Sequence, residues 1–211
     1  MQQNQYDYEE DGTYCYPGTN VLRNKLNIHD GDKLSDAERS ISLVRMIELE
    51  DYPINGDYDL NHLRTIHKVL FGDIFDWAGE LRTVDISKGT MFCKCEYIES
   101  NAAKLFNQLR SENNLVGLQM EDMVSRLAYY LCEINAIHPF REGNGRAQRL
   151  FIKQLAFDAG YHLDFTGITD EEMINASVRG FVLDYSHMEK LIRRGISKLL
   201  QLFSLLFGSN V

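Results

Sequence analysis

A stretch of twelve residues, positions 138–149, combines side chains that can act on a phosphate. It reads HPFREGNGRAQR. A neutral His138 can accept a proton, and the carboxylate of Glu142 can bind a Mg²⁺ ion that bridges to phosphate oxygens. Arg146 and Arg149 are three residues apart, so both guanidinium groups would lie on one side of a helical turn. The spacing predicts a site for a di- or triphosphate, beside a base that activates a hydroxyl.

The turn formed by Gly143, Asn144 and Gly145 comes just before a helical pattern. Amide groups at a helix N-terminus lack intrahelical partners, and the helix dipole there favours anions. The two glycines permit a positive φ and a close approach of ligand to backbone. Asn144 tolerates left-handed geometry and offers an amide to a phosphate oxygen. We therefore expect these three residues to form an anion hole.

The neighbouring elements must hold this loop in place. The helix before it carries an apolar stripe made of Leu127, Tyr130, Leu131 and Ile134. That stripe would deliver His138 to a fixed position, and Pro139 favours an extended backbone there. Phe140 is the large apolar residue of the loop and is expected to anchor it in the core. His67 lies on an apolar helix face, which indicates a packing role rather than catalysis.

Hydrophobic spacing predicts a mainly α-helical chain with one small β-hairpin. We expect a loose N-terminal tail at residues 1–16 and a single domain at 17–211. The hairpin is expected at about 83–97, with its turn at Lys88-Gly89-Thr90. Helices are expected at about 60–72, 99–112, 121–137, 146–159, 170–180 and 192–207.

The beginning of the domain is expected to contain two further helices. A short helix is expected after Pro17-Gly18. Ser35 and Glu38 form a capping-box pattern ahead of a long amphipathic helix that reaches about Glu50. The residues expected on its buried face are Ile41, Val44, Ile47 and Leu49.

Bulk composition limits the classes of partner. The chain has 211 residues, 44% of them hydrophobic, and a net charge of −9. Such an acidic protein is not expected to bind nucleic acid or anionic membranes directly. No run approaches the roughly 20 apolar residues that span a bilayer, and the polar N-terminus is unlike a secretion signal. We expect a cytoplasmic protein whose C-terminal apolar stripe, Ile192 to Phe207, is core or a homodimer contact.

The pattern H-x-F-x-[DE]-G-N-G-R-x-x-R at 138–149 resembles the signature of Fic-domain proteins, the Fic/DOC family, in their toxin-like single-domain form. Leu63–Gly79 and Leu81–Ile98 resemble the family's segments that lead into and form its flap hairpin. The resemblance implies a compact Fic-type helical domain. It also implies a protein adenylyltransferase (AMPylation), which transfers AMP from Mg-ATP to a Ser, Thr or Tyr hydroxyl and releases pyrophosphate.

The resemblance implies a role for each motif residue. His138 would deprotonate the target hydroxyl, and Glu142 would hold Mg²⁺ between the α- and β-phosphates. Gly143, Asn144 and Gly145 would form the anion hole, with Asn144 at the α-phosphate. Arg146 and Arg149 would bind the β- and γ-phosphates. The flap would dock the target by main-chain pairing through Asp85, Ile86, Ser87, Lys88, Gly89, Thr90, Met91, Phe92 and Cys93.

The resemblance also bears on partners and regulation. Targets in the family include bacterial topoisomerase subunits and, for secreted effectors, host GTPases. The family's inhibitory motif, S/T-x-x-x-E-G/N, is absent, because only Glu112 and Glu142 are followed by Asn or Gly and neither fits. We expect a small separate antitoxin, or a divergent segment, to supply inhibition. Two alternatives stay open: a phosphotransferase of the same fold, and a catalytically silent binding module.

Overall fold

The structure is a computed structural model that describes residues 12–199. Within that span the chain forms seven α-helices and two small antiparallel sheets, so the expected mainly helical fold is confirmed. The helices are α1 (Gly31–Asp51), α2 (Leu60–Phe71), α3 (Ile98–Ser111), α4 (Met120–Ile137), α5 (Asn144–Asp158), α6 (Asp170–Gly180) and α7 (Ser186–Gly195). The strands are β1 (Ser87–Lys88), β2 (Thr90–Met91), β3 (Tyr161–Leu163) and β4 (Ile196–Lys198). Short 3₁₀ turns occupy Cys95–Tyr97 and Asn113–Leu115.

The core is built around α4 and α5, which pack against each other at the centre. Helix α2 covers α5, and α7 covers α4. The predicted apolar stripe on α4 is confirmed, because all four of its residues are buried. Full burial of such a side chain contributes about 1.5–3 kcal/mol. The end of α4 is therefore fixed within the core, and the motif loop starts there.

The predicted helices α2 to α6 are confirmed within about two residues at each end. Their ends use local polar caps. The Asp59 side chain accepts a hydrogen bond from the His62 amide at the start of α2. Thr169 and Glu172 form a reciprocal capping box at the start of α6. Gly160 has a φ of 91° just beyond α5, as expected for a residue that ends a helix.

The start of α1 differs from the prediction. The side chain of Asp30 accepts a hydrogen bond from the Lys33 amide and caps a helix that begins at Gly31. The capping box expected at Ser35 and Glu38 is therefore wrong, because both residues lie inside the helix. The short helix expected after Pro17-Gly18 is also wrong. That segment is a turn, closed by a hydrogen bond from the Tyr16 amide to the Val21 carbonyl.

The buried face of α1 was predicted wrongly in part. Val44 and Ile47 are more than half exposed, and Leu49 is the residue of the expected set that is buried. The buried residues of α1 are Leu34, Glu38, Ser42 and Leu49. This face is partly polar because it meets a charged side chain of α5, which a hydrophobic pattern cannot reveal.

The two ends of the domain also differ from expectation. Residues 1–11 and 200–211 lie outside the described residues, so a loose tail and a role for the C-terminal stripe stay predictions there. At the end of the expected tail, Tyr14 and Cys15 are buried. The backbone of Cys15 pairs with that of Leu22 in an isolated antiparallel β-bridge. Within 12–199, no helix is long and apolar enough to cross a membrane.

The prediction that the helix continues through residues 196–198 is wrong, because α7 ends at Gly195 and β4 follows it. β4 pairs with β3 in antiparallel register, with Leu163 opposite Ile196. The Asp164 amide donates to the Gly195 carbonyl. A Cβ at Gly195 would lie 1.8 Å from the Asp164 carbonyl oxygen, so only glycine fits this close strand contact.

The flap hairpin is confirmed in place. Ser87 pairs with Met91 and Lys88 with Thr90, on either side of Gly89. Gly89 has a φ of 70°, which a tight turn at this point requires. The paired strands have only two residues each, so the hairpin depends on packing against the body for its position.

Candidate active site

His138 lies at the C-terminal cap of α4 in a left-handed conformation, with φ 47° and ψ 64°. Its amide donates to the Ile134 carbonyl at 3.0 Å, which completes the last helical turn. The extended backbone expected from the following Pro139 is therefore wrong. A left-handed residue before proline is unfavourable by itself, so the surrounding contacts must impose it.

The imidazole of His138 is buried against the flap. Its ring stacks on Phe92 with a centroid distance of 3.7 Å. Nδ1 lies 3.2 Å from the Asn135 carbonyl oxygen, which can only accept, so Nδ1 carries the proton. In the neutral ring, Nε2 then has the lone pair. Burial lowers the pKa of His138 to about 3, and the nearby charge of Arg82 acts in the same direction.

Arg82 joins the flap to the motif loop that begins at His138, a role that the sequence did not reveal. Its buried guanidinium donates to the carbonyl oxygens of His138 (2.8 Å) and Val84 (2.7 Å), and to that of Cys93. The Arg82 amide also donates to the Pro139 carbonyl at 2.9 Å. These bonds fix the backbone of His138 relative to both sides of the hairpin. An arginine beside a predicted hairpin carries no sequence signal that separates this role from a surface charge.

Phe140 anchors the loop in the core, as the sequence predicted, and His67 packs against it and also binds the loop backbone. Phe140 is fully buried and stacks on the His67 ring at 3.9 Å. His67 accepts a hydrogen bond from the Gly79 amide at Nδ1, so its Nε2–H donates to the Glu142 carbonyl at 2.8 Å. Burial lowers the pKa of His67 to about 3, which keeps this ring neutral.

The Gly-Asn-Gly turn forms the N-terminus of α5. Gly143 has a φ of 79°, and a Cβ there would lie 2.4 Å from the Phe71 ring. The first intrahelical bond runs from Ala147 to the Gly143 carbonyl, so the preceding amides have no intrahelical partner. Gly145 is half-buried and lines a cavity. The anion hole expected at these residues stays a prediction.

Asn144 differs from its expected position at a phosphate. Its side-chain Oδ1 accepts from the Phe140 amide at 2.9 Å, and its Nδ2 donates to the Phe140 carbonyl at 2.7 Å. The side chain is buried and is not part of the cavity wall. Both polar atoms of the Asn144 side chain are therefore used within the loop, in hydrogen bonds to the Phe140 backbone. What remains for an anion at this position is the backbone N–H.

Glu142 and the two motif arginines meet at one cavity. One carboxylate oxygen of Glu142 accepts from the Gly143 amide at 2.9 Å. Arg146 donates to Ser42 at 2.8 Å and to the Glu38 carboxylate. The Arg149 guanidinium makes no hydrogen bond to any residue in the described part of the chain. Burial and the neighbouring Arg146 charge lower the pKa of Arg149.

The cavity has a volume of about 450 Å³ and brings the predicted residues together. His138, Glu142, Gly143, Gly145, Arg146 and Arg149 line it. Helix α6 and the residue after it also line the cavity, with four apolar side chains, Met173, Ile174, Val178 and Phe181, and two polar ones, Asp170 and Ser177. Lys88 of the flap also reaches the cavity, and burial lowers its pKa.

The predicted flap residues divide into three sets by exposure, of which Ser87, Lys88 and Cys93 are half-buried. Ile86 and Phe92 are buried, and the ring centroids of Phe92 and Phe181 are 5.5 Å apart. The Phe92 amide donates to Ile86, and the Cys93 amide donates to Ala136, so those groups are already paired. The exposed members are Asp85, Gly89, Thr90 and Met91. The surface available to a partner is thus the hairpin tip.

Comparison with known proteins finds relatives that match most of this chain. The sequence model of the Fic/DOC family matches residues 57–156. A Salmonella typhimurium protein named "Probable protein adenylyltransferase Fic" is 45% identical over 186 residues, which are 88% of this chain and 92% of that protein. A Bartonella quintana Bep effector Fic domain with bound ADP superposes with a TM-score of 0.85 at 30% identity, over 90% of this chain and 97% of that one.

A second solved structure, the BepC protein of Bartonella tribocorum with bound AMPPNP, has a TM-score of 0.84 and 27% identity. The superposition covers 88% of this chain and 96% of the BepC chain. The likeness therefore extends well beyond the matched motif region, to most of the helical body. The chain belongs to the Fic/DOC family.

Proposed function

We propose that this protein transfers AMP from ATP to a hydroxyl group of a target protein and releases pyrophosphate. The observation that carries the proposal is a single cavity lined by a neutral histidine, a helix N-terminus and two arginines. The name of the Salmonella relative and the nucleotides in the Bartonella structures support the same activity.

The nucleotide would be held at both ends. Its phosphates would bind the N-terminal amides of α5 and the guanidinium groups of Arg146 and Arg149. The adenine base would lie against the apolar side chains of Met173, Ile174 and Val178. Lys88 adds a cation on the side of the flap. This arrangement would point the phosphate chain toward His138.

The chemistry needs one proton acceptor and one leaving group. His138 Nε2 would take the proton of the target hydroxyl, and the oxygen would attack the α-phosphorus. A P–O bond to that oxygen forms while the bond to the bridging oxygen of pyrophosphate breaks. The arginines would neutralise the negative charge that develops on pyrophosphate. The low pKa of His138 keeps the imidazole neutral near pH 7, as a proton acceptor must be.

Glu142 is the residue that would hold Mg²⁺. Among residues 12–199 there is no group of three or more His, Cys, Asp or Glu side chains that could enclose a metal. Asp170 also lines the cavity, and a site of this kind fits Mg²⁺, which commonly binds through one or two carboxylates, substrate phosphates and water. When bound, the ion would offset phosphate charge and favour departure of pyrophosphate.

The target would dock at the exposed tip of the flap. Gly89, Thr90 and Met91 are exposed, whereas the inward residues hold the hairpin next to His138. A target segment that adds to this edge would bring its hydroxyl near the imidazole. A bacterial topoisomerase subunit and a host GTPase are the two candidate targets.

Regulation and location complete the proposal. The absent inhibitory motif favours a small antitoxin as a separate partner, and so a toxin-antitoxin pair. We expect the protein to act in the cytoplasm or, as a secreted effector, in a host cell. The likeness to VirB-translocated Bartonella effectors supports the second route. Copurification with the product of the neighbouring reading frame, and inhibition by it, tests the antitoxin.

A labelling experiment tests the activity. Lysate is incubated with Mg²⁺ and ATP labelled at either the α- or the γ-phosphate, with wild-type protein, His138→Ala or the surface control His162→Ala. We expect α-label on a protein band with wild type and the control, and none with His138→Ala. Label from γ-ATP alone would indicate a phosphotransferase. No label with either nucleotide would indicate a binding module. Mass spectrometry of the band identifies the target.

A further inference from the structure

The guanidinium group of Arg146 is held on the side of α1. Nη1 donates to Ser42 Oγ at 2.8 Å, and Nη2 donates to the carboxylate of Glu38. The guanidinium also lies over the Phe71 ring, 4.7 Å from its centroid. Three different side chains therefore restrict one arginine.

Glu38 and Ser42 hold Arg146 from behind the cavity. Arg146 lines the cavity, whereas neither Glu38 nor Ser42 is part of its wall. The two residues are one helical turn apart, and both are buried, Glu38 at 9% exposure and Ser42 at 1%. Helix α1 is itself anchored by buried Leu34 and Leu49. The two polar groups are consequently fixed parts of the body rather than displaceable ligands.

The contact leaves Arg146 able to bind an anion. A guanidinium has five N–H donors in a rigid planar fork, and Glu38 and Ser42 engage only its two terminal nitrogens. Burial raises the pKa of Glu38, and the Arg146 charge opposes that shift. A buried carboxylate is costly unless it is paired, so this residue has a specific partner in Arg146.

We propose that Glu38 and Ser42 are positioning residues, which orient Arg146 so that its remaining donors face the terminal phosphates of ATP. The inference rests on the proposed function and deepens it. An arginine on a flexible stem loses side-chain freedom when it binds a phosphate. Holding the group in place beforehand removes that loss at the moment of binding, which is the benefit of preorganisation.

The nucleotide tail gives a test that separates positioning from a general structural effect. AMPPNP has the β- and γ-phosphates that Arg146 would contact, and AMP lacks them. We expect Glu38→Ala to weaken binding of Mg-AMPPNP about tenfold while AMP binding stays unchanged. Glu38→Gln keeps an acceptor oxygen and should weaken Mg-AMPPNP binding less than Glu38→Ala does. Ser42→Ala should also weaken this binding less than Glu38→Ala does. Calorimetry of the full chain measures all of these affinities.

Two controls sharpen the result. Glu48→Gln changes an exposed carboxylate of the same helix and should leave both affinities unchanged. In an Arg146→Ala background, adding Glu38→Ala should cause no further loss, because the residue through which Glu38 acts is gone. If Glu38→Ala does not fold, Glu38→Gln and Ser42→Ala carry the same comparison.

Contrary outcomes are distinct from one another. Equal weakening of AMPPNP and AMP binding, or no weakening, would overturn the positioning role. Faster AMP transfer by Glu38→Ala would also overturn it, since the contact would then be inhibitory. If wild type itself does not bind AMPPNP, the proposed function fails, and this inference fails with it.

Discussion

Acid should destabilise this protein steeply because two buried histidines resist protonation. Burial lowers the pKa of His67 and of His138 to about 3. In the unfolded chain both would titrate near the usual value of about 6.5. The unfolded state therefore binds more protons than the folded state over this interval. The stabilisation is fully present above pH 6.5 and is lost as the pH falls from there toward 3.

The size of the effect follows from the two pKa values. Between pH 7 and pH 5, each histidine should lower the free energy of unfolding by about 2 kcal/mol. The two together amount to about 4 kcal/mol, a large part of the 5–15 kcal/mol that is typical of a folded domain. The buried site thus limits the acid tolerance of the whole fold.

Urea unfolding at pH 7, 6 and 5 measures this effect. His67→Gln should be less stable than wild type at pH 7, because it loses the paired hydrogen bonds of the ring. Its further loss between pH 7 and pH 5 should be smaller than that of wild type by about 2 kcal/mol. His162→Gln, at an exposed position on β3, should follow wild type. An identical pH dependence in wild type and His67→Gln would refute the reasoning.

Three further predictions concern the loop and the flap. Arg82→Met should lower the free energy of unfolding by roughly 3 kcal/mol or more in urea, since it leaves buried carbonyls unpaired; wild-type stability would contradict this. Gly143→Ala should lower the free energy of unfolding by about 1–3 kcal/mol and weaken AMPPNP binding, because φ is positive and a Cβ would clash with the Phe71 ring. Unchanged AMPPNP binding in calorimetry would count against this prediction. Phe92→Ala should raise the pKa of His138 by exposing the ring, and an NMR titration that matches wild type would exclude that cause.

Much of the fold was predictable because its signals are local. Helices α2 to α6 repeat apolar residues at helical spacing and end at recognisable caps, such as Asp59 and Gly160. The flap turn was predictable because Lys88-Gly89-Thr90 lies between two short segments with an extended pattern. The motif from His138 to Arg149 was identifiable because its residues are consecutive in the sequence, and the structure brings most of them to one cavity.

The remaining features depend on contacts between residues that are far apart in the sequence. Arg82 contacts His138 across 56 positions, and Arg146 contacts Glu38 across 108. Arg82 does not differ from a surface charge in its local pattern, and the motif that identifies Arg146 gives no sign of its contact with Glu38. The same long-range contacts explain the error on α1, whose buried face was taken to be wholly apolar. A buried carboxylate is a rare choice, and only its partner on α5 accounts for it.

The buried polar side chains around the motif share one function, which is to fix an irregular backbone. Arg82 binds the carbonyl of His138, Asn144 binds that of Phe140, and His67 binds that of Glu142. A buried loop lacks the regular backbone hydrogen bonds of a helix or sheet, so each of its carbonyl groups needs a hydrogen-bond partner from elsewhere. Here these partners come from three different places along the chain. The left-handed His138 is therefore set by folding rather than by ligand, and its amide hydrogen should exchange only through the same large opening as the core of α4.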